Sequence, residues 1–404
     1  MRVPPIHMVL ARYPTRLERL LRSPAIWALV VAVVAGFLSL LTFWRAPATI
    51  APPTTSTTST AGPPPVNSTA VDPTEPFERI RVFYATDRQP LTSGMGYGHV
   101  WSEKLRYGIA EVSMPHDHRL GVIESPSIWR LEFRRNPAKH VYLHAADEVA
   151  FDSFTTSLRT ALTSSGEGHA LVFVHGFNVS FDAAVMRTAQ IFTDLSLPGV
   201  PIAYAWPSRA ELGPIAYVAD SNMADVTAPH LKQFLLQLAG MSDTARIHII
   251  AHSMGNKVVA RAIEAIAADR AVPAKKYFQN IALTAPDLDE RVLKGIAGNV
   301  GVFAVRTTLY ASANDEALNI AAGYTKSRRA GQAGPGILVV PPIDTVDAST
   351  VDTSLVGHFY YGSNLSVLSD IYYLVRSNEP PDRRFLLRPV ESSRGKYWEF
   401  RRTR

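Results

Sequence analysis

Apolar positions along this chain follow two periods, and the two alternate. Ile247, Ile249 and Ile250 make a short β-branched run that predicts a buried strand ending at Ser253. Directly after it Val258, Val259, Ala262, Ile263 and Ile266 recur at helical spacing, with Lys257, Arg261 and Glu264 on the other side. The same switch recurs upstream. Strands are predicted at 80–85, 109–112, 128–133 and 141–144, separated by Gly, Pro and Asn turns, and a helix through Phe151, Phe154, Leu158 and Leu162. A strand at 170–174, a helix at 180–195, a strand at 202–206 and a helix from Leu231 to Gly240 follow. Beyond Ser253, residues 281–284 and 307–311 predict two more strands. Strands taking turns with helices predict an α/β domain with a mostly parallel sheet, helices on both faces, and ligands at the carboxyl ends of the strands.

Two stretches break that rhythm. Residues 25–44 carry no charge and are long enough to cross a bilayer as a helix, with Trp27 and Trp44 near the ends where indole rings favour the headgroup level. A cleaved signal peptide has a shorter apolar region of about 7–15 residues, so an uncleaved transmembrane anchor is expected. Arg2, Arg12, Arg16, Arg19 and Arg22 precede the span, and Arg45 alone is basic between it and Arg79. The segment 1–24 is therefore expected in the cytoplasm and the remainder across the membrane, the periplasm in a bacterium with an outer membrane. Residues 45–76 are rich in Pro, Thr, Ser and Ala, the composition of a linker that cannot bury enough apolar surface to order itself. The folded domain is expected over 77–380. The segment 381–404, with Arg383, Arg384, Arg388, Arg394, Lys396, Arg401, Arg402 and Arg404, reads as a basic tail, solvated or docked on anionic lipid.

Composition narrows the chemistry. The chain has 404 residues, is 47% hydrophobic and contains no cysteine, which excludes a disulfide scaffold, a thiolate metal site and a cysteine nucleophile. A net charge of +6 without a recognisable basic motif points to no nucleic-acid partner. His116, His118, His140 and His144 have no carboxylate-histidine helix motif beside them and are expected to be solvated loop residues rather than metal ligands.

Ser253 carries the candidate chemistry. Between a strand and a helix, a serine with small residues two positions either side, here Ala251 and Gly255, fits a nucleophile elbow, although the usual pattern has glycine at both flanks. The strand at 170–174 runs into His175-Gly176-Phe177-Asn178, where backbone N–H groups can stabilise an oxyanion. Phe177 N–H and Met254 N–H are the candidate donors. Trp206 reads equally as pocket lining or core, and the loop 209–223 as a pocket wall. In this architecture a triad follows in the order serine, acid, histidine. After Ser253 the chain contains one histidine, His358, which is the candidate base. The acid is Asp315, at the end of the second strand after the elbow strand, or Asp287, at the end of the first.

Together these segments resemble the α/β-hydrolase superfamily and, more closely, a bacterial family of esterase/lipase-like hydrolases. The resemblance rests on Tyr84-Ala-Thr-Asp-Arg88, His175-Gly-Phe-Asn178, Ala205-Trp-Pro-Ser208, Ala251-His-Ser-Met-Gly-Asn256, Ala285-Pro-Asp287, Ser312-Ala-Asn-Asp315 and Gly357-His358, over about 77–375. It implies hydrolysis of an ester or similar acyl bond of a small-molecule or lipid-like substrate, with Ser253, Asp315 and His358 as triad and no cofactor. A membrane-tethered binding protein that kept the fold without the activity is the alternative. Arg328 and Arg329, in the segment before His358, would suit an anionic substrate.

Overall fold

The computed structural model describes residues 75–92, 94–126, 135–241, 245–351 and 364–401. The segment 1–24, the span 25–44, the linker as far as 74, the strand expected at 128–133 and His358 lie outside the described residues. Among the described residues no helix is long and apolar enough to cross a membrane.

The described strands are β1 (Phe77–Pro90), β2 (Tyr97–Pro115), β3 (Tyr142–Val149), β4 (His169–Val174), β5 (Gly199–Tyr204), β6 (Arg246–His252), β7 (Phe278–Thr284), β8 (Ala304–Ala311), β9 (Ile343–Asp347), β10 (Leu387–Ser392) and β11 (Gly395–Phe400). They form one sheet in the order β10-β11-β9-β8-β7-β6-β4-β5-β1-β2-β3. From β1 through β11 neighbouring strands are parallel, and antiparallel pairs appear only at the two edges. β4 lies between β5 and β6, so the chain leaves it in one direction and returns on its other side. Such a reversal opens a crevice at the carboxyl ends of the strands, and Ser253 and Gly176 both fall there.

The strands are buried on both sides, as a run such as His169–Val174, with every residue buried, requires. Ala170, Val172 and Val174 face a core shared with α1 (Phe151–Ser164), α3 (Pro214–Met241), α4 (Gly255–Ala268) and α5 (Glu290–Phe303). Leu171 and Phe173 point to the opposite layer, which holds Ile191 of α2 (Phe181–Asp194) and Val367, Leu368 and Ile371 of α7 (Leu365–Ser377). One further helix, α6 (Glu316–Thr325), follows β8. Its N-cap is Asp315, whose side chain accepts from Leu318 N.

Three expectations are corrected. The segment from 381 onward is not a solvated tail. After a short 3₁₀ turn at Pro381–Arg383 it forms the β10–β11 hairpin, and Trp398 and Glu399 pair in parallel with Val346 and Asp347 of β9. Its basic residues masked a period of two, in which Trp398 and Phe400 turn inward while Tyr397 and Glu399 between and beside them stay half-buried. Arg384 is itself buried, donating to Asp370 Oδ2 at 3.0 Å and to Thr308 Oγ1 at 2.9 Å. Secondly, the loop expected at 209–223 is helical from Pro214, the first residue of α3. Proline is favoured at a helix start, where its missing N–H costs nothing.

The third correction concerns the histidines. His140 is buried and accepts from Asn136 N through Nδ1, and His118 is held between two carboxylates, Glu124 Oε2 and Asp194 Oδ1, each at 2.9 Å. Burial disfavours a charged His118 ring, but the hydrogen bonds to Asp194 and Glu124 outweigh it and raise the pKa above the usual histidine value. A raised folded-state pKa stabilises the protein fully below the unfolded pKa, and the contribution disappears as pH rises through the folded value. His118→Gln should therefore lower the urea midpoint more at about pH 6 than at about pH 9, measured against the unsubstituted protein. Equal losses at both values would show that the ring is not charged in this clamp.

Candidate active site

β6 ends at His252, and the chain turns through Ser253 with φ +51° before α4 begins at Gly255. A left-handed serine costs on the order of 1–3 kcal/mol and persists only where the surroundings fix it. Here they do. Ser253 N donates to Thr284 O at 3.1 Å, and Asp287 N donates to Ser253 O at 3.1 Å. The Asn256 amide lies within 3.2 Å of three carbonyls, those of Ala251, Ser253 and Thr284, and closes the turn from inside.

The two flanks of the elbow carry unequal demands, which explains Ala251. A Cβ at position 255 would come within 2.4 Å of His175 O and 2.5 Å of Val174 O, so glycine is required there. Ala251 belongs to β6, is fully buried, and its methyl group is part of the apolar core. A second close approach is at Gly176, where a Cβ would lie 2.7 Å from Ser253 Cβ. The backbone leading into Phe177 therefore runs directly against the serine. Met254 is the N-cap of α4, so its amide lies at the start of a helix, whose dipole favours negative charge.

The His175–Val179 loop is held by residues whose role the sequence did not disclose. Arg88 is fully buried at the end of β1 and donates to Ala205 O (3.2 Å), Gly98 O (3.0 Å), Ser208 O (3.1 Å) and Val179 O (2.8 Å). Burial pulls its pKa down to about 10, with Asp87 and Asp220 opposing, so the guanidinium stays charged at neutral pH. Asp220 of α3 accepts from Ser208 Oγ at 2.5 Å and from Arg209 N at 3.0 Å, while Ser208 Oγ accepts from Val179 N at 3.1 Å. His175 stacks on Trp206 with ring centroids 5.1 Å apart and planes 8° from parallel. Trp206 Nε1 donates to His175 O at 2.7 Å. Trp206 is thus a core residue under the loop, not pocket lining. Burial, with Arg88 adding to it, lowers the His175 pKa to about 3 and keeps the ring neutral.

Ser253 opens into a cavity of about 340 Å³. Phe177, Leu212 and Tyr217 line it together with Ile320, Ala321 and Tyr324 of α6, and the Tyr217 and Tyr324 rings lie 6.0 Å apart. A larger hollow of about 450 Å³, beside Glu78 and Pro201, lies at the amino ends of the strands and contains no candidate nucleophile.

Asp287 lines the Ser253 cavity. Its Oδ1 accepts from Arg329 Nε at 2.7 Å and from Tyr217 Oη at 3.1 Å. Asp315 is buried in the turn between β8 and α6, and its Oδ1 accepts from Leu318 N at 3.0 Å. β8 pairs with β9 up to Ala311 and Asp347, and the chain leaving β9 stays beside the Asp315 turn. Ala348 N donates to Ala311 O at 2.7 Å, and Ala313 N donates to Ser349 Oγ at 2.7 Å.

The suggestion that Arg328 and Arg329 face an anionic substrate does not survive. Arg329 is buried on Asp287, and Arg328 donates to Gln332 O and Ala333 O. Arg329 is an internal brace, and Arg328, half-buried, braces the turn that follows it. The sequence signal for Arg88 was present in Tyr84-Ala-Thr-Asp-Arg88, but nothing local gave it a partner. Among the described residues no group of three or more histidine, aspartate or glutamate side chains is arranged to hold a metal ion.

The model of a family described as "Alpha/beta hydrolase of unknown function (DUF900)" matches residues 150–373. No curated protein matches the chain. Among solved structures, phospholipase PlaB from Legionella pneumophila, in complex with thio-NAD, is similar at 14% identity and a TM-score of 0.27, over 57% of this chain and 67% of that one. A lipase-esterase related protein from Clostridium acetobutylicum ATCC 824 is similar at 9% identity and a TM-score of 0.27, over 53% of this chain and 95% of that one.

Proposed function

We propose, for a chain that belongs to this α/β-hydrolase family of unknown function, a serine hydrolase that cleaves an ester or related acyl bond through an acyl-enzyme. One observation carries the reading. Ser253 is held in a left-handed elbow at the sheet's reversal point, with the Gly176 backbone against it and an apolar cavity in front. In the reaction His358 takes the Ser253 proton as Oγ bonds to the substrate carbonyl carbon, and Phe177 N–H and Met254 N–H receive the oxyanion. The tetrahedral intermediate expels the alcohol, which takes the proton from His358. Water, deprotonated by His358, then releases the acid and restores Ser253. Asp315 orients the imidazole and stabilises its charged form. The test is covalent labelling of Ser253 by a fluorophosphonate, located by peptide mass spectrometry. A folded protein that stays unlabelled would favour a binding role on the same fold.

The domain is assigned to the far side of the membrane from its arginine-rich amino terminus, through the anchor 25–44 and the linker 45–76. The charge asymmetry of the flanks supports this. A fusion after Pro76 should give active alkaline phosphatase and dark green fluorescent protein. The opposite pair would put the domain in the cytoplasm and leave the site untouched.

A further inference from the structure

The helix that carries Asp315 as its N-cap turns an apolar stripe toward Ser253. Ala317, Ile320, Ala321 and Tyr324 recur at helical spacing on α6, and all four line the cavity in which Ser253 sits. Ala321 is buried, but Ile320 and Tyr324 remain 56% and 54% exposed, and Leu212, which lines the same cavity, is 81% exposed. Tyr324 meets only the tilted ring of Tyr217 among the described aromatic rings, at 6.0 Å between centroids, and an apolar helix face this exposed beside a candidate nucleophile marks a binding surface. Two polar groups of the groove engage each other and a third from behind: Tyr217 Oη donates to Asp287, and Arg329 balances the Asp287 charge. Apart from that pair, Asn178 and Ser253, the lining is apolar, so the groove suits a hydrocarbon better than a charged or strongly hydrated group.

We propose that this groove is the acyl subsite of the hydrolase and that it selects medium-length acyl chains. The assignment rests on the acyl-transfer reading for its chemistry and on the α6 stripe for its substrate class. From Ala317 to Tyr324 the helix rises about 10 Å, the length of an extended hydrocarbon of roughly eight carbons. Each methylene moved from water to the groove is worth about fourfold in specificity constant, so the gain should accumulate with chain length and stop when the wall ends.

The experiment measures kcat/KM of the full chain on p-nitrophenyl acetate, butyrate, hexanoate, octanoate and laurate, all as monomers. The expected profile rises on the order of 10³-fold from acetate to octanoate and is level beyond it. Ile320→Asn and Tyr324→Ser, at exposed positions where folding is not at stake, should each flatten the octanoate-to-acetate ratio at least tenfold. Val305→Asn, an exposed apolar position on β8 outside the groove, should leave that ratio unchanged. A level profile in the unsubstituted chain, or an unaltered slope in both groove variants, overturns the assignment. Calorimetric binding of octanoate decides the groove independently of turnover: saturable binding that Ile320→Asn weakens supports it, and no binding overturns it. Failure of the acyl-transfer reading would instead appear as no ester hydrolysis and no labelling of Ser253, whatever octanoate does.

Discussion

Ser253→Ala should abolish fluorophosphonate labelling and lower ester turnover by about 10⁶-fold, the scale on which a triad enzyme loses activity with its nucleophile. The same variant should unfold within about 0.5 kcal/mol of the unsubstituted protein. Both halves follow from the elbow. The bonds that hold the turn, from Ser253 N to Thr284 O, from Asp287 N to Ser253 O and from the Asn256 amide, are made by backbone groups and by Asn256, not by the hydroxyl. Alanine keeps the Cβ that faces Gly176 and accepts the same backbone angles at similar cost. Loss of labelling with an unchanged melting curve would establish the role of the oxygen alone. Labelling that persists would move the nucleophile elsewhere, whereas lost labelling with a collapsed melting temperature would report on folding.

The second large effect separates the two acids. Asp315→Asn should cost about 10⁴-fold in kcat, because an amide cannot stabilise the imidazolium and favours the wrong tautomer. Stability should hardly change, since asparagine is as good an N-cap as aspartate and retains an acceptor for Leu318 N. Asp287→Asn should behave in the opposite way. It removes the partner of a buried guanidinium, and breaking such a pair by losing one member typically costs about 3–5 kcal/mol. The folded fraction should retain turnover within about tenfold, since a carboxylate already neutralised by Arg329 has little field left to offer an imidazolium. Melting temperature and kcat, measured on both variants, give a two-by-two outcome. A catalytic collapse confined to Asp287→Asn would transfer the acid to that position.

The parts of the site that were legible in the sequence are those made by one continuous stretch. Residues 246–256 announce a strand, a tight turn and a helix by the switch from β-branched run to helical spacing, and the structure places Ser253 at that junction. His175-Gly176 was equally visible as a strand end. Two misreadings came from composition overriding pattern. Arginine content hid the inward period of Trp398 and Phe400, and Pro214 marked the start of α3 within a segment read as loop.

What the sequence determined by itself is the alternation that makes a parallel sheet, and the tight turn at Ser253, because hydrophobic period and turn sterics act over a few residues. What only the tertiary structure decided is which distant residues brace that turn and the loop beside it. Arg88 reaches a carbonyl 120 positions away at Ser208, and Arg329 reaches Asp287 across 42 positions. The need for glycine at 255, and not at 251, depends on where the Val174 and His175 carbonyls of another strand come to lie. The apolar stripe of α6 is likewise a pattern in the sequence, but its meaning depends on the cavity it shares with Ser253. A buried charge or a close backbone approach is defined by what surrounds it, and those surroundings come into being only when the strands have taken their order in the sheet.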